Sequence, residues 1–390
     1  IADGVIESML RVETGETLDI DELERQLIAI YGLELFESVY YDVEKEGGES
    51  VLSVTVRERS WGPNYIQAGF AVSDDFEAAN FNVCLAYTRT AINSLGGEWR
   101  SGFQMGQEPG VFTDFYQPLD RGLRYFLRVK GSYIEQTDNL IDPSGHKFGE
   151  LGIYRYGGMF EAGRELGCWG RISAGLKRES GKITVQVGDP ESPERKFDNG
   201  EVFAQIHLDE LDDIYFPGHG GALRIRASAG LEELGSDTPC EQAVAEGRVA
   251  VSAGSWSFNL GGAVASTLDS DAPYQNLFPL GGFMRISGLE QDEIRGQHAA
   301  MFTGTVFKRI HLSSMLSLNL GVTTEYGNVF QSRDEIGFDK GLVSGSLFLG
   351  ADTIAGPIFI AWGLSEYERD NFYFCLGLPW MNTNALRLDH

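Results

Sequence analysis

The sequence predicts a mainly β protein, a transmembrane antiparallel β-barrel of about sixteen strands that follows one small α+β domain. Its 390 residues include 49 Gly, 24 Phe and 15 Tyr but only 12 Pro, which is typical of many strands joined by tight turns. No apolar run approaches the ~20 residues that a spanning helix needs. From about residue 64 onward, apolar residues alternate with small or polar ones, and this alternation indicates strands.

Residues 1–59 differ from the rest and predict a separate domain. Residues 19–30 have an apolar helix face, and residues 36–43 and 50–57 read as the two strands of a hairpin. An earlier strand is predicted over residues 6–12. We therefore expect the helix to pack on the hairpin through one apolar face. That face consists of Ile20, Leu23, Leu27 and Ile30.

The later segments show the two-residue repeat of a strand with lipid on one side. Residues 81–88 place Phe81, Val83, Leu85 and Tyr87 on one face, with small or polar residues opposite. A closed barrel is expected because hydrocarbon leaves no solvent for unpaired backbone groups. A large sandwich or propeller would also alternate. The even strand count, the aromatic end of the last strand and the lack of a helical second layer favour the barrel.

The net charge of −26 argues against nucleic acid as a partner, because nucleic-acid binding requires a basic face. It also argues against docking on anionic headgroups from the cytoplasm. The four cysteines lack metal-like spacing and are expected to be small buried or lipid-facing residues. Neither a cofactor nor a metal site is predicted. The cysteines are Cys84, Cys168, Cys240 and Cys375.

One connection, residues 269–294, is too long for a tight turn. Both ends of the barrel chain are expected on the periplasmic side, so this loop follows an outward-going strand and begins outside. It contains the motif Gly281-Gly-Phe-Met-Arg-Ile-Ser-Gly-Leu289.

At these residues the chain resembles the C-terminal half of patatin-like autotransporters, a type V secretion class. In these proteins a patatin lipase is joined to a polypeptide-transport-associated (POTRA) domain and a BamA-type barrel. The resemblance implies a periplasmic POTRA domain at 1–59, an outer-membrane barrel at 60–380 and a C-terminal tail at 381–390. It is carried by residues 23–27, 31–40, 58–65, 281–289, 296–298, 325–330, 356–363 and 371–380.

The resemblance also implies that the long loop folds back into the barrel and contacts the inner wall. Gly281, Gly282 and Gly288 would let its backbone pack closely, while Phe283, Ile286 and Leu289 are too apolar for a solvated loop. The family motif V-R-G-F/Y has an arginine where this chain has Ser287. Ser287 can hydrogen-bond, and we expect the nearby Arg285 to reach a wall carboxylate, with Glu325 the first candidate and Asp352 the second. The alternative is an ordinary external loop with Arg285 in water.

The implied function is translocation across, or display at, the cell outer membrane of an N-terminal patatin-like phospholipase passenger. The implied partners are that passenger, the barrel assembly machinery, periplasmic chaperones and outer-membrane lipids, and the resemblance allows a homodimer. Assembly factors would recognise the aromatic-ended last strand by edge pairing. Its signal residues are Phe372, Phe374, Leu376, Leu378 and Trp380.

The chain itself is not expected to be an enzyme. A patatin needs a G-x-S-x-G nucleophile motif and an Asp partner, and no such motif is present; Ser173 and Ser344 have the wrong neighbours. His219 is expected to be a polar loop residue and His298 to serve the loop–strand junction. Two alternatives stay open: a passive porin-like channel, and a lipid hydrolase with its site on the barrel wall.

Overall fold

The computed structural model describes most of the chain from Phe36 to Gly377 and part of the N-terminal segment. The described residues are 10, 12, 15, 18–20, 23–24, 26–27, 36–46, 49–58, 64–74, 79–120, 122–141, 146–167, 169–188, 194–313, 316–353, 356–366 and 369–377.

The described residues form twenty strands, most of them in one closed antiparallel barrel. The strands are β1 (Phe36–Glu46), β2 (Glu49–Glu58), β3 (Asn64–Asp74), β4 (Ala79–Arg89), β5 (Glu98–Gly106), β6 (Gly110–Pro118), β7 (Tyr125–Ile141), β8 (Lys147–Glu165), β9 (Gly170–Val187), β10 (Arg195–Asp209), β11 (Gly220–Gly230), β12 (Glu241–Ala253), β13 (Trp256–Thr267), β14 (Phe278–Leu280), β15 (Ile294–Gly296), β16 (His298–Ser313), β17 (Leu316–Phe330), β18 (Leu342–Thr353), β19 (Gly356–Ser365) and β20 (Asp370–Gly377).

The barrel contains sixteen strands, in agreement with the predicted number. Strands β3 to β13 and β16 to β20 each pair with their neighbours in chain order, and β20 pairs with β3 to close the ring. That closing pair matches six residues, from Phe372 opposite Asp74 to Gly377 opposite Gly69. Closure leaves no free sheet edge, as a barrel in hydrocarbon requires.

The two faces of the strands differ as the alternation predicted. On β4, the predicted outward residues Phe81, Val83, Leu85 and Tyr87 are all exposed, while Cys84, Ala86 and Thr88 are buried. The same alternation recurs around the ring, so the barrel has an apolar outer surface and a polar or small-residue interior. Among the described residues, no helix is long and apolar enough to cross a membrane.

The N-terminal hairpin β1–β2 is a separate two-stranded sheet. Leu23 and Leu27, which lie in a helical segment, are buried against hairpin residues that include Val54. The Tyr41 hydroxyl donates a hydrogen bond to Glu24 over 3.0 Å. Ile20, which the sequence placed on the same helix face, is 53% exposed. The apolar face is therefore narrower than predicted at its N-terminal end.

Two parts of the N-terminal prediction, Ile30 and the strand over 6–12, are not tested, because Ile30 and most of 6–12 lie outside the described residues. The boundary at residue 59 stays a prediction.

The strands are much longer on one side of the barrel than on the other. β8 has 19 residues, whereas β20 has eight. The apolar alternation alone predicts strands over 122–136 and 199–211, but β7 continues to Ile141 and β10 begins at Arg195. Polar residues such as Asp138 interrupt the apolar alternation there, yet the backbone ladder continues past them. Pairing extends beyond the apolar part of the wall.

The last described strand, β20, alternates as predicted. Phe372 is exposed and Phe374 and Leu376 are half-buried, whereas Asn371 and Tyr373 between them are buried. Leu378 and Trp380 lie outside the described residues.

Candidate functional site

Most of residues 268–297, between β13 and β16, lie inside the barrel. β17 is the eighth strand from β7 in a ring of sixteen, so the two strands stand on opposite walls. The segment contacts both walls: Arg295 pairs with Asp138 on β7 over 2.6 Å, and Ser287 binds Glu325 on β17. A segment that reaches two opposite walls has to cross the lumen. We call residues 268–297 the lumenal loop.

The tip of the lumenal loop is bound to a buried carboxylate of the wall. Ser287 donates to Glu325 twice, from its backbone N to Oε2 over 2.5 Å and from Oγ to Oε1 over 2.8 Å. Thr323 donates to Oε1 over 2.6 Å and Ser344 to Oε2 over 2.9 Å. Glu325 and Ser287 are both 0% exposed. Because a buried carboxylate needs such donors, the tip and the wall depend on each other.

Two glycines let the loop backbone touch the wall. A Cβ on Gly363 of β19 would lie 2.6 Å from the Ser287 Cβ and 2.9 Å from the Gly288 nitrogen. Gly288 has a φ of +99°, and a Cβ there would lie 2.6 Å from the Ser365 nitrogen. The Leu289 carbonyl accepts a hydrogen bond from the Tyr373 hydroxyl over 3.1 Å. The tip therefore connects β17 to the closing strand β20.

The loop tip also holds an unusual backbone. Met284, Ile286 and Asp292 have φ values of 60°, 72° and 57°. This conformation is disfavoured for side chains with a Cβ, most of all for a β-branched residue such as Ile286. It costs about 1–3 kcal/mol per residue and persists only where the surroundings impose it. Ile286 is 0% exposed and packs in a core with Leu280 and Leu289, which imposes it.

The ion pair of Arg285 is formed within its own loop, whereas the prediction was a wall carboxylate. Glu325 receives Ser287 instead, and Arg285 pairs with Asp292 of the same loop over 2.9 Å and donates to the Pro279 carbonyl over 2.9 Å. A partner seven residues away closes a short chain segment, which costs less entropy than a distant wall group. Asp352, the second candidate, lies at the far end of β18 from Ser344. Asp292 was not predicted, because only carboxylates of the wall strands were expected to face the loop.

The opposite wall holds the base of the loop through charged and polar contacts. Asp138 accepts from Arg295 and, over 3.4 Å, from the Tyr274 hydroxyl. Burial, together with the charge of Asp138, raises the pKa of Tyr274 to about 12, so its phenol stays protonated as a donor. Asn139 donates to Glu290 over 2.6 Å, and Arg155 of β8 donates to the Gln275 carbonyl. The loop is fixed at both walls.

A second segment enters the lumen from the other end of the barrel. Residues 210–219, between β10 and β11, form a turn whose Phe216 is 1% exposed. The Phe216 ring stacks on Phe359 of β19 at 4.7 Å and meets Phe307 of β16 edge-on at 6.1 Å. Phe283 of the lumenal loop contacts the same Phe359 ring at 5.8 Å. We call residues 210–219 the lumenal turn; it meets the lumenal loop at this aromatic cluster.

Between the two inward segments the described residues leave a cavity of about 620 Å³. Its apolar side includes Phe283 and Phe348, and its polar side includes Arg224 and Glu246. Among the described residues, no group of three or more His, Cys, Asp or Glu residues could hold a metal ion. The geometry therefore provides a narrow, partly filled lumen with a fixed internal loop.

The serines and histidine considered for chemistry have other contacts. Ser173 donates to the buried Glu161, and Ser344 donates to Glu325. His298 Nδ1 and the Ser266 Oγ lie 2.8 Å apart, across the first pair of β13 and β16. His298 is only 6% exposed, and no carboxylate among the described residues hydrogen-bonds its ring. This pair joins β13 to β16, the two strands that flank the lumenal loop.

No known family model matches the sequence, and no curated protein matches it. Solved structures do match the fold. BamA from Haemophilus ducreyi, lacking POTRA domains 1–3, gives a TM-score of 0.69 at 12% identity, over 96% of this chain and 81% of that one. CdiB from Acinetobacter baumannii gives 0.67 at 12%, over 97% and 72%. CdiB from Escherichia coli gives 0.66 at 11%, over 97% and 74%. The fold is a BamA-type barrel.

Proposed function

We propose that this chain is an outer-membrane translocator whose barrel anchors and exports an N-terminal passenger. The observation that carries the proposal is the lumenal loop, bound at Ser287 to the buried Glu325 in a BamA-type barrel of sixteen strands. The tip contacts β17, β19 and β20 together. A displacement of the loop in the lumen would therefore alter the contacts of the closing strand β20.

The apolar outer surface supports placement in a membrane, and closure supports spanning by strands. We place the barrel in the cell outer membrane, with residues 1–59 as a periplasmic POTRA domain. The match to BamA covers 96% of this chain. The barrel and the residues after it make up a smaller share, because the barrel begins only at Asn64. The match therefore includes part of the N-terminal region. The burial of Leu23 and Leu27 against the hairpin is consistent with such a domain.

The passenger that we propose is the patatin-like phospholipase implied by the sequence resemblance. The hairpin β1–β2 has free sheet edges within the described residues, and an extended client can add a strand to such an edge without sequence specificity. The barrel assembly machinery, periplasmic chaperones, outer-membrane lipids and a second copy of the chain complete the proposed partners.

A passive porin-like channel remains the second candidate, favoured by the cavity of about 620 Å³ in the lumen. The two candidates differ in conductance, because a fixed loop and turn restrict ion flow. In planar bilayers, a large steady conductance of the unmodified chain would favour the porin. Ser266→Ala removes the hydroxyl beside His298. Hydrolysis of phospholipid vesicles that is lost in this variant would instead support the hydrolase hypothesis.

The test uses cells that express the chain with its natural N-terminal passenger. We would measure the chain in outer-membrane fractions, its heat-modifiable migration, and the digestion of the passenger by external protease. We expect Glu325→Ala to reduce passenger exposure at least tenfold per barrel present, with Glu150→Ala on the rim as the control. Unchanged exposure in Glu325→Ala, or a chain absent from the outer membrane, would overturn the proposal.

A further inference from the structure

The lumenal turn is held by the wall through its main chain. Arg248 of β12 donates to the Ile214 carbonyl over 2.9 Å, and Arg309 of β16 donates to the Phe216 carbonyl over 2.6 Å. Ser252 of β12 donates to the Gly218 carbonyl over 2.9 Å. Three wall side chains thus bind three carbonyls within five residues. Any extended peptide carries equivalent carbonyls.

Four amide groups of the turn bind carboxylates of the turn itself. Asp213 accepts from the backbone nitrogens of Tyr215 and Phe216, both at 2.7 Å. Asp212 accepts from those of Gly218 and His219, at 2.8 and 2.9 Å. The two aspartates therefore shape the segment from within. The wall only has to recognise carbonyls and one ring.

The ring of Phe216 lies in a pocket that a glycine creates. Arg309, Asn319, Gly350 and Phe359 stand in one row across β16, β17, β18 and β19. A Cβ on Gly350 would lie 2.2 Å from a Phe216 ring carbon, so only glycine leaves room for the ring. Arg309 holds the Phe216 carbonyl beside this pocket. The row therefore combines a carbonyl donor with an aromatic pocket.

The row also contains a polar group that the turn does not use. Asn319 is 0% exposed, and neither atom of its amide has a hydrogen-bond partner among the described residues. Leaving a buried amide unpaired costs about 1–3 kcal/mol per group. An amide provides both a donor and an acceptor, which is what one peptide unit requires. The site can therefore make more hydrogen bonds than its present occupant makes.

We propose that the lumenal wall from Arg248 to Phe359 is a binding site for an extended peptide segment with an aromatic side chain, and that the lumenal turn occupies it as a built-in competitor. The ring enters the pocket over Gly350, Arg248 and Arg309 bind carbonyls, and Asn319 binds a further peptide unit. The proposal rests on the proposed function for the source of the peptide, a passenger segment in transit.

The test uses the purified full chain in detergent and a labelled peptide, acetyl-Ile-Tyr-Phe-Pro-Gly-amide, which repeats residues 214–218. In the test variant, residues 213–218 are replaced by an equal length of Gly and Ser. We expect this variant to bind the peptide at least tenfold more tightly than the unmodified chain. Adding Gly350→Ala should remove the gain, and a peptide with Ala in place of Phe should bind weakly to both.

Planar bilayers give an independent readout. We expect the turn variant to conduct more than the unmodified chain and the peptide to block the added current. Equal peptide affinity with and without the turn, or a gain that survives Gly350→Ala, would overturn the proposal. If the replaced variant does not fold, judged by heat-modifiable migration, Phe216→Ala serves the same purpose with the turn in place.

The export assay is kept separate from these measurements. Peptide binding without passenger export would support the peptide site and contradict the proposed function. Normal export without peptide binding would support the proposed function and contradict the peptide site.

Discussion

The hydrogen bond from Ser287 Oγ to Glu325 is the most direct test of how the lumenal loop is held. Ser287→Ala removes this bond of 2.8 Å to a fully buried carboxylate and leaves the backbone bond in place. It also removes the acceptor of the Met284 backbone nitrogen, at 3.1 Å. A hydrogen bond to a charged group contributes about 1.5–3 kcal/mol, and an unmet buried donor costs about 1–3 kcal/mol. Because Met284 is only half-buried, its unmet nitrogen adds less than the full penalty, and we expect loop docking to weaken by about 2–4 kcal/mol.

The matched control is Ser344→Ala, which removes another bond to Glu325, of 2.9 Å, from the wall and not from the loop. Both variants should lower the temperature at which the barrel loses its compact migration in gels. Only Ser287→Ala should release the loop, because Ser344 belongs to β18.

The assay that separates them is thiol labelling of Gln291→Cys in a chain whose four native cysteines are replaced by serine. If labelling requires the loop to open first, a loss of about 2–4 kcal/mol in the free energy of loop docking raises the labelling rate by about 30-fold to 1,000-fold. A double-mutant cycle with Glu325→Gln should give a coupling above about 1 kcal/mol. Equal labelling rates in both serine variants, or a coupling near zero, would refute the reasoning.

Three further outcomes are expected. Gly363→Ala should lower the unfolding free energy by about 1–3 kcal/mol, seen as an earlier gel-migration transition, because its methyl group would overlap the Ser287 Cβ. Leu27→Asp should make the N-terminal region of the full chain sensitive to limited proteolysis, because a charge would replace a side chain that is 7% exposed, at a cost of several kcal/mol. Truncation before Phe372 should abolish outer-membrane accumulation in cell fractions, because β20 closes the ring.

Each outcome has a control. Gly304→Ala should be tolerated, since a Cβ there meets nothing closer than 3.9 Å. Ile20→Asp should leave proteolysis unchanged, since Ile20 is 53% exposed. Truncation after Trp380 should leave accumulation normal. An unaltered Gly363→Ala transition, a protease-resistant Leu27→Asp chain, or normal levels of the chain cut before Phe372 would each contradict its prediction.

The barrel was predictable because lipid and lumen impose opposite demands on adjacent residues. Alternation of the kind seen from Phe81 to Tyr87, repeated along the chain, was sufficient to predict a closed barrel of about sixteen strands. The outer extents of β7 and β10 were not predictable in this way, because pairing there continues where the apolar pattern has stopped.

The site was predictable only in part. The glycines and apolar residues at 281–289 indicated a loop that packs closely, and Glu325 was chosen as its wall partner. Arg285 was predicted as the partner of Glu325 because of its charge, whereas Ser287 supplies two donors to this carboxylate through its backbone nitrogen and its hydroxyl. The lumenal turn was missed, because nothing in Tyr215-Phe-Pro-Gly218 distinguishes a turn in the lumen from one in water.

The unequal strand lengths have a consequence for recognition from outside. A tilted spanning strand needs about 9–11 residues, so β8, with 19, continues past the hydrocarbon by roughly 26–33 Å along the strand at ~3.3 Å per residue. In the proposed orientation this wall of β7 to β10 stands above the cell surface, where antibodies or phages would meet it first. Its inner side bears Asp138 and Arg155, which hold the loop. Substitutions that change recognition are therefore expected to be tolerated on the outer side of the wall. On the inner side they would disturb the contacts that hold the loop.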